Sequence, residues 1–114
     1  MLNLPQNPQF CQTDVSGSTL VHADCFDVFP YIADKSVNLI LCDLPYGTTA
    51  CKWDSVLPLD KLWNEYKRIS NTVILFSSQP FTTDLINSAR DWFKYEIIWD
   101  KVGGSNFQLS KVQP

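Results

Sequence analysis

The 114 residues give room for one small domain with one core, and 45% apolar content with seven Phe, four Trp and four Tyr excludes a disordered chain. The formal charge is −3 and the pI about 4.8, with lysines and arginines scattered, so no basic stripe of the kind a nucleic-acid surface carries is present. No long apolar span and no basic leader occur, which points to a cytoplasmic protein without a membrane partner.

Taken in order, residues 1–18 read as a loose N-terminal arm, polar and aperiodic, with Pro5, Pro8 and Gly17. Thr19 to Asp24 reads as a short strand ending in a carboxylate, and Phe26, Phe29 and Ile32 space a short helix that Pro30 limits. Val37 to Gly47 holds an apolar run that stops at Asp43, then Pro45 and Gly47, the pattern of a buried strand. Strand, helix, strand in that order predicts a parallel crossover. A polar loop from Thr48 to Leu57 follows. Leu59, Leu62, Trp63, Tyr66 and Ile69 then recur at helical steps after Pro58, which suits a first turn. Thr72–Ser77 reads as a strand, Phe81–Arg90 as a helix and Phe93–Trp99 as a last strand. The fold expected is α/β, with a mainly parallel sheet of about four strands and flanking helices. The cysteines, Cys11, Cys25, Cys42 and Cys51, lack metal-type spacing and read as reduced apolar filler, with no metal site.

The chemistry centres on Asp43. It stands where a buried strand emerges at its carboxyl end, the edge at which open α/β sheets bind ligands. Pro45 biases Leu44 to an extended conformation, so that its carbonyl faces outward. A carboxylate, a stiffened carbonyl and the ring of Tyr46 together suit a planar base with an exocyclic amine. The two oxygens accept its N–H groups and the ring stacks on it.

Asp43-Leu44-Pro45-Tyr46 resembles the Asp-Pro-Pro-Tyr motif of the amino-group DNA methyltransferases, with Leu44 in place of the first proline. The lead-in Ser36-Val37-Asn38-Leu39-Ile40, the segment His22-Ala23-Asp24, and Gly47-Thr48-Thr49-Ala50-Cys51-Lys52-Trp53-Asp54 are similar to the same family. The last of these looks like its prophage adenine methylases. Leu75 to Phe81 and Tyr95 to Lys101 look like the family's downstream blocks, so the resemblance spans residues 19–107, with 108–114 as a tail. It implies a partial Rossmann-like methyltransferase fold, S-adenosyl-L-methionine as methyl donor and adenine N6 in DNA as acceptor, as in restriction-modification. By the same resemblance Asp43, Leu44, Pro45 and Tyr46 are catalytic. Asp24 and Asp43 lie near the cofactor, and Tyr46, Trp53 and Trp99 lie against the base.

Each of these residues has a plainer role beside that one. Asp24 also suits a helix N-cap. Trp53 suits an anchor for its loop, Trp99 a strand-end core position, and His22 a structural or exposed place in its strand. The family's Phe-x-Gly-x-Gly cofactor turn and its recognition region have no counterpart here, and Gly103-Gly104 lacks a following helix. That absence leads to the expectation of a truncated or split enzyme, weakly active alone, that meets DNA through a missing half, a complementing subunit or a homodimer. Methylation of another amine (cytosine N4, RNA or protein glutamine) and a non-catalytic remnant or binding module are the alternatives.

Overall fold

The computed structural model describes residues 2–6 and 9–103. The architecture is mixed α/β, with one antiparallel and one parallel strand pair.

The N-terminal part corrects the expected loose arm. Cys11–Val15 is a strand, β1, paired antiparallel with β2, Ser18–His22, in the register Cys11 with His22 and Val15 with Ser18. The connection is Ser16-Gly17, with φ of 49° and 81°. Two successive positive φ values make the tight turn whose twist matches a hairpin, and glycine takes the second at no steric cost. Little apolar alternation marks this hairpin, because both strands are mostly exposed.

The pairing of β2 is also a correction. The crossover expected between Thr19–Asp24 and the central strand does not form among the described residues: β2 pairs with β1, and β3 lies in a separate sheet with β4. Between them lie the helix α1, Cys25–Val28, and a single 3-10 turn at Phe29–Tyr31 that contains Pro30. Proline lacks the N–H that a longer helix needs.

The parallel crossover lies one step further along. β3, Ile40–Asp43, is followed by α2, Leu59–Ile69, and then β4, Val73–Phe76, which pairs parallel with β3. Helix α3, Phe81–Ser88, completes the order. The helical stripe of α2 is placed as expected: Leu62, Tyr66 and Ile69 are buried, and Leu59 and Trp63 pack against the same cluster. Phe29, Leu44, Phe81 and Leu85 complete that core. Arg68, on the predicted wet side of α2, instead fastens the preceding segment. It donates to the carbonyls of Phe29 and Ile32 at 2.8 and 2.7 Å and pairs with Asp34 and Glu65 at 2.8 and 2.7 Å.

The strand expected at Phe93–Trp99 does not form. Among the described residues no strand pairs with this segment, and Tyr95, Ile97, Ile98 and Trp99 are all exposed. Residues 104–114, which hold Gly104, the end of the family-like span and the tail, lie outside the described residues.

Candidate functional site

Parallel pairing brings two strand ends to one edge. Asp43 and Phe76 are register partners at the carboxyl ends of β3 and β4. Alternation along β3 puts Ile40 and Cys42 against the helices and turns Leu41 and Asp43 to the other face. Asp43 is accordingly exposed. It is neither buried nor part of any ion pair among the described residues.

The next residue runs the opposite way. Leu44 is buried, its side chain in the core cluster. Leucine lacks the ring by which a proline would restrain the backbone here. In this chain the anchoring comes from packing of the leucine side chain. Pro45 and Tyr46 are half-buried. The Tyr46 hydroxyl donates to Asp43 Oδ1 at 2.8 Å, and its ring lies 5.4 Å from that of Phe81 at 43°. Burial, and after it the bond to Asp43, pushes the phenol up to about 12. Tyr46 therefore stays a neutral donor, and one Asp43 oxygen is engaged from within the protein.

The loop after Tyr46 is held by a residue whose role the sequence did not disclose. Asp54 is only 8% exposed. Its Oδ1 accepts from the Gly47 amide at 2.9 Å. Its Oδ2 accepts from the Thr48 amide at 3.1 Å and from the Thr49 amide and hydroxyl, both at 2.7 Å. The Thr49 hydroxyl and then the Gly47 amide hold this carboxyl down to about 2. Gly47 has φ of 71°, a left-handed conformation that glycine takes at no steric cost. The only signal in the sequence was a carboxylate five to seven residues after a Gly-Thr-Thr run, a spacing with no regular period.

Trp53, beside Asp54, is 74% exposed, so it does not anchor the loop to the core. With Asp43, Leu44, Pro45, Tyr46, Thr48, Thr49 and Asp54 it lines an open cleft of about 480 Å³ at the carboxyl edge. Trp99 is not among the residues lining that cleft. It is exposed and outside the core, and its ring lies 5.7 Å from that of Phe76, the register partner of Asp43. Asp24 is exposed and caps α1: its Oδ1 accepts from the Phe26 amide at 2.9 Å. Among the described residues β1 and β2 form one sheet and β3 and β4 another, so Asp24 and Asp43 follow strands of different sheets. His22 is exposed at the end of β2. Among the described residues, no helix is long and apolar enough to cross a membrane.

No family model, curated protein or solved structure matches this chain.

Proposed function

We propose that this chain carries the amine-gripping part of a site-specific DNA methyltransferase, which moves a methyl group from S-adenosylmethionine to adenine N6. The observation that supports this most directly is the exposed Asp43 carboxylate at the rim of a cleft that it shares with Leu44 and Tyr46. The finer fold belongs to the same proposal: β3, α2 and β4 form part of a Rossmann-like methyltransferase sheet.

The residues divide the work by their chemistry. A target adenine leaves the duplex at a cost of a few kcal/mol of unstacking. Tyr46 Oη occupies Asp43 Oδ1, so Oδ2 is the oxygen that faces the amine. The Leu44 carbonyl accepts the second N–H, held in place by a side chain packed in the core. Two acceptors in fixed positions orient the nitrogen lone pair, and positioning of this kind supplies much of a transfer rate. The Tyr46 ring, backed by Phe81, offers the stacking surface. S-adenosylmethionine supplies the activated methyl group when bound. In this reading Asp24 accepts from the adenine amine of S-adenosylmethionine through the carboxylate oxygen other than the one that caps α1. The amine's proton leaves through Asp43 to solvent.

The test compares two single-stranded oligonucleotides, one with adenine and one with unsubstituted purine at the same position. Wild-type protein is expected to bind the adenine form about tenfold more tightly, the worth of a charge-assisted hydrogen bond. Asp43→Ala is expected to bind both alike. Equal binding of the two oligonucleotides by the wild type rejects the reading. Transfer of labelled methyl to adenine, lost in Asp43→Ala, tests the reaction itself. Labelling of RNA or protein glutamine in its place moves the substrate class.

A further inference from the structure

Asp54 has no part in gripping an amine, yet four donors converge on it. Three consecutive backbone amides and a hydroxyl, all at 2.7–3.1 Å, face a nearly buried carboxylate. Consecutive amides turned inward in this way form a concavity that binds an anion, and the chain fills it with its own side chain. The donors begin at Gly47, directly after Tyr46. The acceptor follows directly after Trp53. The clasp thus ties the exit of the amine-gripping segment to the residue that carries an indole at the same cleft. Exposure of a large ring on a closed loop costs hydration free energy and gains no packing. Elsewhere in the chain, Trp63 and Trp92 pack edge to face at 6.3 Å and Trp63 bonds to Ser88.

We propose that Asp54 is a positioning residue: its clasp on Gly47, Thr48 and Thr49 fixes Trp53 as an aromatic wall of the Asp43–Tyr46 cleft, where a planar nucleobase stacks. The nucleobase rests on the methyltransferase reading above. The positioning of Trp53 by Asp54 does not.

The experiment is fluorine NMR of the full chain labelled with 5-fluorotryptophan. The four tryptophans give four resonances, and Trp53→Phe assigns Trp53 by loss of its signal. In Asp54→Asn the Trp53 resonance is expected to move toward that of a free indole, while the packed Trp63 and Trp92 signals stay in place. Adding an adenine-containing single strand is expected to shift the Trp53 signal in the wild type. Its affinity falls about tenfold in Trp53→Ala, in line with loss of one stacking contact. The Asp54→Asn, Trp53→Ala double variant is expected to bind no worse than Trp53→Ala, because Asp54 acts through the ring. Additive losses, or a Trp53 resonance unmoved in Asp54→Asn, overturn the proposal. If the resonance moves in Asp54→Asn but no oligonucleotide shifts it, Asp54 positions Trp53 and the nucleobase reading fails. If Asp54→Asn unfolds the chain, Thr49→Val decides: it removes one of the four donors, and an unmoved Trp53 signal there again overturns the clasp.

Discussion

At the scale of single residues, the cleft is set by two hydrogen-bonded carboxylates in opposite surroundings. Asp43 is exposed and shares one oxygen with Tyr46, whereas Asp54 is enclosed by donors. Both arrangements have a readable pH signature. The Tyr46 phenol is raised to about 12 from an ordinary value near 10, so the stability tied to its neutral form is complete below about pH 10 and is lost as pH rises through about 12. Difference absorbance between wild type and Tyr46→Phe is expected to show that high midpoint. It falls in Asp43→Asn but stays above the ordinary value, since burial is the larger cause. For Asp54 the sign reverses. Its carboxyl is lowered to about 2, so its contribution is complete above about pH 4 and is lost as pH falls through about 2. Chemical denaturation across that window is expected to show the wild type losing its advantage over Asp54→Asn as acid is added. Asp43 was legible at this scale because it ends an apolar run, and a run's end is a one-dimensional feature. Asp54 was not, because three of its four donors are backbone amides, which carry no signature in sequence.

At the scale of elements, local rules account for what formed. The period of α2 was readable and its buried face followed. Leu62, fully buried at the centre of that face, is expected to cost about 2–5 kcal/mol when truncated to alanine, measured by denaturant melting with an unchanged slope. Gly47→Ala is expected to destabilise by about 1–2 kcal/mol by the same measurement. Its positive φ penalises a side chain, and a Cβ there would sit 2.9 Å from Val56 Cγ2. Strands were read less well than helices. A helix closes its hydrogen bonds within its own segment, whereas a strand needs a neighbour from elsewhere. Cys11–Val15 found one across a two-residue turn and became β1, although its residues carry no apolar alternation. Phe93–Trp99 carries the composition of a strand and, among the described residues, has no ladder.

At the scale of the whole molecule, the described residues cover the parallel pair on one side. Ile40, Cys42, Val73 and Leu75 face the helices, while Leu41, Ile74 and Phe76 on the other face are exposed, Leu41 at 60%. Parallel sheets are ordinarily covered on both faces. The chain is therefore expected to bind the dye ANS in its native state, with the fluorescence lowered in a Leu41→Ser, Ile74→Thr variant. The amino-acid sequence by itself determined the central strand and its terminal carboxylate, the helix after it and the apolar composition of the core, because each depends on neighbours within a few positions. Tertiary structure alone decided that β2 turns back on β1, that Leu44 is rooted in the core, and that Asp54, next to Trp53 in the chain, draws three amides together. Those outcomes depend on which groups meet in three dimensions, near in sequence for the hairpin and the Asp54 clasp and far apart for the packing of Leu44, and the free energy of such meetings comes from burial and backbone hydrogen bonds that residue identity alone does not record.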